Sequence, residues 1–466
     1  MPGIYTRLCS GLLFPLHEWA KGHHTLRVKC ELEETQWWAP ERLHELQLAR
    51  LRELLMHAKE RVPYYRDLFA GIGFDPSGIG SPADLAGLPF LTKDTIRANG
   101  DRLKSDDAKA LKRLSTTGSS GDPLQFHIGP ARVTHDVAAK WRATRWWGVD
   151  IGDPEIVAWS SPIELSTQDR VRRVRDRLFR TRLLSTQALT IQKMDQFLND
   201  IRIFRPKMLF GYPSSLTLIA QRASERGLRM DDLGVKVAFV TAERTYPHQR
   251  DVIGQVFRCA VADGYGGRDS GFIAHECPAG GLHITAEDIM VEIVDGEGRL
   301  LPPGQAGEVV VTQLFTHDFP FIRYKNGDVA VLDNKVCSCG RGLPLIREVQ
   351  GRTNDFLVSA NGGRIHDVAF AMLLRDMPGV RQFKIIQETL REVRLQLVTG
   401  PDFDRPRQKS KIESVFRNHL GDGLKLNIDY VSRIEPERTG KYRYVISHVA
   451  GSVATETTVV KFRLDQ

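Results

Sequence analysis

The sequence is poor in cysteine, in long apolar runs and in blocks of one charge, and each shortage excludes a class of protein. Six cysteines in 466 residues are too few for a disulfide-stapled scaffold, so the composition predicts a reducing, cytoplasmic environment. The chain lacks the run of about 20 apolar residues that a transmembrane helix requires. It also lacks the block of basic residues that forms a nucleic-acid-binding tail, so we expect no nucleic-acid partner.

The remaining composition is typical of a large globular protein. Hydrophobic residues make up 41% of the chain and charged residues 26%, as in folded domains. A chain of 466 residues is too long to fold around one compact core, so its length predicts about two to four domains. The net charge of +8 suits binding of nucleotides and equally an ordinary basic surface. The sequence is compatible with a homodimer but does not reveal the oligomeric state.

Two segments have alternative interpretations that the sequence leaves open. The opening MPGIYTRLCSGLLFPLHEWAKG contains an apolar stretch without a small-residue cleavage site, and it is too short and interrupted to span a bilayer. Contact with a membrane surface remains an alternative. Seven arginines lie between Arg170 and Arg182, which favours a solvated helix over a phosphate-binding or membrane-binding one.

Periodicity predicts three successive regions. About the first 110 residues are expected to be helical, because apolar residues recur there every three or four positions, as in the stripe Leu48, Leu51, Leu55, Ala58 and Val62. From about 150 to 350, short apolar runs alternate with polar stretches, the pattern of parallel strands with crossover helices. After Gly351 the pattern predicts a compact unit of mixed helices and strands.

These regions together predict an α/β fold with two domains. The first, residues 1–350, is expected to be a large domain of several subdomains with parallel-rich sheets and helices. The second, residues 351–466, is expected to be a small mobile α+β domain, with a hinge near 351–356 because loop residues there can absorb changes in φ and ψ.

The first chemical motif is the loop Ser115–Pro123, with the sequence STTGSSGDP. Two glycines permit a tight loop, and its five hydroxyls and backbone N–H groups can surround a triphosphate. Asp122 stands where a Walker A loop needs lysine, so the loop is not of that type. An ordinary flexible Ser/Gly loop is the alternative.

The second motif, Asp263–Gly271, follows a predicted strand and reads DGYGGRDSG. Loops at the carboxyl ends of parallel strands are where α/β sheets place ligands. Tyr265 could stack on a base, and Asp269 could hold Mg²⁺ together with phosphate oxygens. A plain turn with a capping aspartate is the alternative.

Three further motifs place charged side chains in turn-prone segments. Asp328, in the run RYKNGD, could accept both hydrogen bonds of a ribose diol, or the run could be a hairpin turn. Arg352, in GRTND, is a candidate phosphate contact at the predicted hinge. Lys441, in RTGKYR, could meet charge that develops on a phosphoryl group, although a surface lysine is the ordinary interpretation.

The five motifs in this order resemble those of the adenylate-forming superfamily of acyl-CoA synthetases and related ligases. The phenylacetate–CoA ligase branch is the more similar part of it, within which the chain resembles the CapK-type proteins associated with capsular polysaccharide biosynthesis. The resemblance extends from QWWAPERLHELQLARLRELLMHA to RTGKYRYVI. The larger domain is thereby expected to be the adenylation domain and the smaller one its lid.

The resemblance assigns a role to each motif. Catalytic roles fall to Thr117, Asp269 and Lys441. Asp269 stands where the family has a magnesium-binding Glu, so its carboxylate is one methylene shorter. Thr241-Ala242-Glu243 matches the family's loop near the adenosine. The implied nucleotide-binding residues are Ser115, Thr116, Thr117, Gly118, Ser119, Ser120, Gly121, Glu243, Tyr265, Gly266, Asp328 and Arg352.

A cysteine and histidine set suggests a second, structural site. Cys277 and His283 lie six positions apart, and Cys337 and Cys339 flank a serine. Three thiolates and one imidazole suit a closed tetrahedral zinc site, and similar sets occur in relatives on this branch. His275 is a rival fourth ligand, and reduced cysteines without a metal are the alternative.

The implied reaction uses ATP and Mg²⁺ to convert a carboxylic acid to an acyl-adenylate, which coenzyme A then attacks to give an acyl-CoA. A ligase or transferase that passes the acyl group to an amine or sugar without coenzyme A is a second interpretation. A non-catalytic homologue is the third. The acid is not readable from the sequence, because aromatic residues that could line its pocket could equally be core: Trp146, Trp147, Phe210, Tyr212 and Phe239.

Overall fold

A computed structural model of the chain describes most of its residues. The described residues are 3–116, 124–159, 170–186, 189–352, 356–361, 364–366, 370, 373–374, 377–435 and 444–449. The chain divides into two compact units. The larger comprises Met1–Asp295, Arg299–Asn326 and Ala330–Gln350, and the smaller comprises Gly296–Gly298, Gly327–Val329 and Gly351–Gln466.

The first hundred residues of the larger unit are helical. The helices are α1 (Ile4–Leu8), α2 (Phe14–Ala20), α3 (Thr25–Thr35), α4 (Pro40–Arg61), α5 (Pro63–Ile72) and α6 (Lys93–Asn99), with a π-helical turn at Cys9–Leu13 and 3₁₀ turns at Pro76–Gly78 and Pro82–Gly87. Pro63 separates α4 from α5, because proline fits the first turn of a helix but not its interior. Leu51, Leu55 and Ala58 form the fully buried face of α4, as their spacing predicts.

The middle of the larger unit alternates strands and helices. A hairpin of β1 (Lys112–Ser115) and β2 (Gln125–Ile128) comes first. The following elements are α7 (Pro130–Trp146), β3 (Glu155–Trp159), α8 (Arg170–Leu178), β4 (Thr181–Ser185), α9 (Ile191–Phe204), β5 (Met208–Gly211), α10 (Pro213–Glu225), β6 (Val237–Thr241), α11 (Pro247–Phe257) and β7 (Ala260–Gly267). Strands β4-β3-β5-β6-β7 are parallel neighbours in that order, so their carboxyl ends share one edge of the sheet.

The same sheet continues with strands that include antiparallel pairs. They are β8 (Gly271–Glu276), β9 (Leu282–Ile284), β10 (Ile289–Val294), β11 (Ala306–Gln313), β12 (Tyr324–Asp333) and β13 (Leu345–Arg352). The full order is β10-β11-β12-β13-β9-β8-β7-β6-β5-β3-β4. Short apolar strands between helices in the parallel half bury both faces, which explains their continuous apolar runs.

A buried ion pair joins the helical region to this sheet. Arg142 of α7 and Glu287, between β9 and β10, are both fully buried, and their Nη1 and Oε1 atoms lie 2.6 Å apart. Arg142 also donates to the carbonyl of Leu32 in α3, and Thr35 donates to Glu287. Burial raises the pKa of Glu287, although the arginine opposes that shift. Loss of either partner would therefore leave a charge in the core.

The smaller unit is an α+β domain. A two-stranded sheet is formed by β14 (Phe356–Val358) and β15 (Arg364–His366), and a four-stranded sheet has the order β18-β17-β16-β19. Its members are β16 (Val380–Thr389), β17 (Glu392–Thr399), β18 (Lys425–Tyr430) and β19 (Val445–Ser447), with α12 at Arg405–Leu420. Ile412 and Phe416 of α12 share a core with Ile385 and Leu395.

The predicted α/β class is confirmed by this architecture of one large mixed sheet and a smaller α+β unit. Among the helices of the described residues, none combines the length and the apolar character that a membrane crossing needs.

Candidate nucleotide site and Cys/His cluster

The predicted adenosine-side residues lie at the carboxyl ends of β6 and β7. Glu243 follows β6, and its Oε2 accepts a 3.2 Å hydrogen bond from the backbone N–H of Ser214 at the start of α10. A carboxylate is favourable there because a helix begins with unpaired N–H groups. Ala242, just before it, has φ of +69°, a conformation that costs energy for a residue with a Cβ and that concentrates at functional sites.

Tyr265 and Gly266 belong to β7 itself. The Tyr265 hydroxyl accepts a 3.0 Å hydrogen bond from the side-chain amide of Asn326, which fixes the ring. A Cβ on Gly266 would lie 2.0 Å from the carbonyl oxygen of Gly271. The glycine is therefore required by the close approach of β8, whatever it does for a ligand.

Asp269 is fixed from two sides. The Tyr324 hydroxyl donates a 2.7 Å hydrogen bond to its Oδ2, and the Gln313 amide donates a 2.6 Å bond to its backbone carbonyl. Gln313 in turn accepts a hydrogen bond from the guanidinium of Arg132, which is itself buried. The half-buried carboxylate thus has a set position rather than a free rotation, as a metal-binding oxygen needs.

Arginines connect this motif to the start of the hydroxyl loop. Arg132 donates to the backbone carbonyl of Arg268 at 3.3 Å, and the Arg268 guanidinium donates to the backbone carbonyl of Ser115 at 3.2 Å. The structure therefore brings Ser115, the first residue of the predicted phosphate loop, beside Arg268, which precedes Asp269. These two residues are 153 positions apart in the sequence.

The hydroxyl loop joins the two strands of the β1–β2 hairpin, and the residues at the two ends of the loop are hydrogen-bonded to each other. Thr116 exchanges two hydrogen bonds with Leu124: its N–H donates to the leucine carbonyl at 2.9 Å, and its Oγ1 accepts from the leucine N–H at 3.0 Å. The Thr116 hydroxyl is therefore committed to closing the hairpin. The other loop residues named by the sequence, Thr117, Gly118, Ser119, Ser120 and Gly121, lie outside the described residues.

In the smaller unit, Arg352 lies near Asp328. The Arg352 Nε is 3.6 Å from the Asp328 Oδ1, and both side chains are partly exposed. Asp328 lies inside β12 rather than in a turn, so the hairpin-turn interpretation of this motif is wrong. The structure brings together the predicted ribose-binding and nucleotide-contacting residues. Lys441 lies outside the described residues.

Four predicted metal ligands meet within the larger unit. One ligand atom from each of Cys277, His283, Cys337 and Cys339 lies within 4.8 Å of the others. The Sγ atoms of Cys277 and Cys337 are 3.7 Å apart, and the Cys339 Sγ is 3.2 Å from the His283 Nε2. A zinc tetrahedron with Zn–S of about 2.3 Å has S···S edges of roughly 3.8 Å, so this donor set fits zinc.

The chemistry around the cluster also fits a metal ligand set. The His283 Nδ1 lies 3.3 Å from the Leu343 carbonyl, which can accept the Nδ1–H hydrogen bond and so leaves Nε2 to the metal. Burial lowers the pKa of His283 to about 4, which keeps its imidazole neutral, as a metal ligand must be. Burial raises the pKa of Cys277 to about 12, so a metal would have to displace the proton of that thiol. Burial also acts to raise the pKa of Cys339, but hydrogen bonds that include the Arg341 backbone and side chain lower it below its usual value.

The rival ligand His275 is separate from this set. It is almost fully buried, its ring stacks on Phe272 at 5.4 Å, and burial lowers its pKa to about 3. Neither ring nitrogen has a partner among the described residues. His275 is thus a neutral histidine in an aromatic environment.

The chain is similar to known proteins over most of its length. The CapK C-terminal domain family matches residues 357–448. Protein CapK of Staphylococcus aureus is 22% identical over 410 residues, covering 87% of this chain and 90% of that protein. Phenylacetate-coenzyme A ligase of Thermus thermophilus is 25% identical over 390 residues, covering 78% and 83%.

A solved structure has the same fold. A crystal structure of 2-hydroxyisobutyryl-CoA ligase in the postadenylation state, in complex with R3-HIB-AMP, matches with a TM-score of 0.72 at 21% identity, covering 89% of this chain and 91% of that one. The chain resembles the adenylate-forming superfamily over most of its length, and its residues 357–448 match the CapK C-terminal domain family. The predicted resemblance is confirmed.

Sequence reasoning missed the residues that position the nucleotide motifs of this adenylate-forming fold. Arg132, Gln313 and Asn326 lie far along the chain from the loops they hold, and no local pattern marks them. Tyr324 and Asn326 stood inside the quoted run RYKNGD, but only its aspartate was singled out.

The candidate acid-pocket aromatics separate into two groups. Tyr212 stacks on Trp159 at 4.3 Å, at the carboxyl ends of β5 and β3, and Phe210 stacks on Phe239 at 6.5 Å. Trp146 instead packs its ring edge-on against His283 of the Cys/His cluster at 5.7 Å. Trp159, which the sequence did not single out, therefore joins the group nearest the nucleotide motifs.

Proposed function

We propose that this chain is an AMP-forming ligase that activates a carboxylic acid with ATP and transfers the acyl group to coenzyme A. The observation that carries the proposal is the chain of hydrogen bonds from Ser115 through Arg268 and Arg132 to Gln313 and Asp269. The shared fold with an acid–CoA ligase, and relatives named as phenylacetate–coenzyme A ligases, support it.

In the first half-reaction, a carboxylate oxygen of the acid attacks the α-phosphorus of ATP and the bond to pyrophosphate breaks. Within the predicted loop of residues 115–121, the hydroxyls of Thr117, Ser119 and Ser120 and the backbone N–H groups of 117–121 would hold the phosphates, since Thr116 closes the hairpin with Leu124. Asp328 would accept hydrogen bonds from the ribose hydroxyls, with Arg352 beside it. Lys441 would meet the negative charge that develops as pyrophosphate leaves.

Asp269 would bind Mg²⁺, because a fixed, half-buried carboxylate suits a cation that also takes phosphate oxygens and water. The ion would neutralise charge on the phosphates. Tyr324 donates to the carboxylate of Asp269 and Gln313 donates to its backbone carbonyl. The carboxylate is therefore already positioned before ATP binds, and binding would cost less conformational entropy.

In the second half-reaction, the thiolate of coenzyme A attacks the acyl carbonyl, and the bond to AMP breaks. Exclusion of water matters at this stage because an acyl-adenylate hydrolyses readily. The match of residues 357–448 to the CapK C-terminal domain family favours a second candidate function. In it the first half-reaction is the same, but an amine or a sugar hydroxyl accepts the acyl group in place of coenzyme A.

The Cys/His cluster is proposed to hold a structural zinc ion. Four protein ligands close a tetrahedron and leave no coordination position for a substrate. The cluster would tie the segment after β8 to the segment before β13, and it would not take part in acyl transfer.

ATP–pyrophosphate exchange across a panel of aryl, fatty and hydroxy acids tests the first half-reaction. Exchange with one acid, abolished by Asp269→Ala and strongly reduced by Lys441→Ala, is the expected result. Lys411→Ala, on the exposed face of α12, is the matched control and should leave exchange unchanged. Absence of exchange with every acid, in protein that binds ATP, would instead indicate a non-catalytic homologue.

Adding acceptors to the acid that supports exchange tests the second half-reaction. Coenzyme A should accelerate AMP release and yield a thioester in equal amount. If AMP release depends on an amine or a sugar and not on coenzyme A, the protein is the acyl transferase and not the acid–CoA ligase.

A further inference from the structure

The opening helices of the chain expose a row of large apolar side chains. Helices α1 and α2 are joined by the π-helical turn Cys9–Leu13, so residues 4–20 form one continuous helical stretch. Its exposed apolar residues follow a spacing of three to four positions and so share a face. This apolar stripe consists of Ile4, Leu8, Leu12, Leu16 and Trp19. Ile4 is 90% and Trp19 is 80% exposed.

The opposite face of the stretch is fixed to the body of the larger unit. Thr6 donates a buried 2.7 Å hydrogen bond to Asp153, and Phe14 packs edge-on against Phe179. Gly152, with φ of +90°, lets Cys9 pack so closely that a Cβ would lie 2.2 Å from that of the cysteine. The stripe is therefore exposed on a packed helix and not through fraying.

Helix α8 extends this surface. The Tyr5 hydroxyl donates a 2.9 Å hydrogen bond to the backbone carbonyl of Leu178, so the end of α8 lies beside the stripe. Leu178 is itself exposed, as is Val174 one turn earlier, at 60%. The two helices therefore present neighbouring apolar groups to the solvent.

The charge around the stripe is cationic. Residues 170–182 contain seven arginines and one aspartate, and Arg173 and Arg177 are exposed beside Val174 and Leu178. The acidic residue of the stretch, Glu18, is buried and accepts a hydrogen bond from the Thr25 hydroxyl. Apolar side chains thus stand next to positive charge without exposed carboxylates on the same stretch.

We propose that the apolar stripe and the arginine-rich helix α8 dock this protein on the surface of a membrane that contains anionic lipids, a property beyond the proposed ligase activity. An amphipathic helix with leucine and tryptophan on one side and arginines beside it inserts at the level of the headgroups. Each basic residue near an anionic surface strengthens the attraction to it.

Charge favours a lipid surface over a second copy of the chain as the occupant. A two-fold interface built on the stripe would bring one cationic helix α8 towards another, and like charges oppose association. An anionic bilayer instead offers apolar chains to the stripe and negative headgroups to Arg173 and Arg177. No helix among the described residues could cross the bilayer, so the contact would be with its surface.

Sedimentation with vesicles tests this proposal on the full chain. We expect binding to phosphatidylcholine vesicles that contain phosphatidylglycerol, weak binding to phosphatidylcholine alone, and weaker binding as salt is raised. Leu12→Glu should weaken binding about tenfold or more, because it replaces an exposed apolar group that would enter the bilayer by a charge. Ile203→Glu, at a residue exposed on α9, is the matched control and should bind as the unaltered chain does.

Charge-reversal variants and a measurement of self-association complete the test of the docking proposal. Arg173→Glu with Arg177→Glu should abolish the preference for anionic vesicles, whereas Arg202→Glu, on α9, should retain it. Equal binding of Leu12→Glu and the unaltered chain, or no binding to either vesicle, would overturn the proposal. So would a dimer in sedimentation velocity that Leu12→Glu dissociates. ATP–pyrophosphate exchange in solution should be the same in all these variants, which separates this proposal from the ligase activity.

Discussion

Removal of metal from the Cys/His cluster should destabilise the larger unit by an amount that the chain connectivity sets. Cys277 and Cys337 are 60 positions apart, so a metal that joins them closes a long loop. By the chain-entropy relation for a cross-link, a loop of this length is worth roughly 4 kcal/mol. With an unfolding entropy of about 2.1 cal/mol/K per residue, this corresponds to a fall of roughly 6 °C in Tm for the larger unit.

Metal analysis and thermal unfolding of the same preparations check this value. Protein from zinc-supplemented medium should hold one zinc ion per chain, and a chelator should remove it and lower Tm. Cys277→Ser should lose the zinc and show the lower Tm without chelator. Cys259→Ser alters a partly buried cysteine outside the cluster, so it should retain the zinc and its response to chelator.

Two results would refute the reasoning. Zinc-supplied protein that contains far less than one metal ion per chain, with a Tm that chelation leaves unchanged, would mean four reduced side chains without a metal. Equal zinc content in Cys277→Ser and the unaltered chain would place any bound zinc elsewhere.

Three other variants test the core and the candidate site. Arg142→Met should cost about 3–5 kcal/mol in denaturant unfolding, because it leaves the Glu287 carboxylate buried without its partner; Arg142→Met with Glu287→Leu should recover most of that loss, and an equally unstable double variant would contradict it. Tyr324→Phe removes the donor to Asp269, a bond worth about 1.5–3 kcal/mol, so ATP–pyrophosphate exchange should fall about tenfold and need more Mg²⁺; an unchanged Mg²⁺ dependence would count against the assignment. Gly266→Ala places a Cβ 2.0 Å from a backbone oxygen and should cost about 1–3 kcal/mol, whereas an unchanged Tm would show that the strand can shift.

The helices and the parallel strands could be predicted from the sequence because they depend on local patterns of apolar residues. The period of Leu51, Leu55 and Ala58 placed a buried helix face, and those residues are fully buried. Short apolar runs predicted the parallel strands, whose pairing brings Glu243 and Tyr265 to neighbouring carboxyl ends. Local spacing carries this information because side-chain direction repeats with the backbone geometry.

The choice between His275 and His283 could not be made from spacing. The pairing of β9 with β13, which sets His283 opposite Leu345, brings the strand that carries His283 beside the segment after Cys337 and Cys339. Such a pairing joins segments about sixty residues apart and follows from the packing of the whole sheet. Both histidines lie near a cysteine in the sequence, so only the three-dimensional register distinguishes them.

The shorter carboxylate at position 269 is the departure from the family pattern that most affects the proposed chemistry. The structure offers a physical account of how a site could tolerate it. Gln313 holds the Asp269 backbone carbonyl and Tyr324 holds its Oδ2, so strands β11 and β12 set the position of the carboxylate. A glutamate at this position would either place its carboxylate farther from the Tyr324 hydroxyl or have to adopt a strained rotamer to keep that hydrogen bond. The aspartate and the tyrosine are therefore expected to work as a unit, and the identity of residue 269 alone is weak evidence against metal binding.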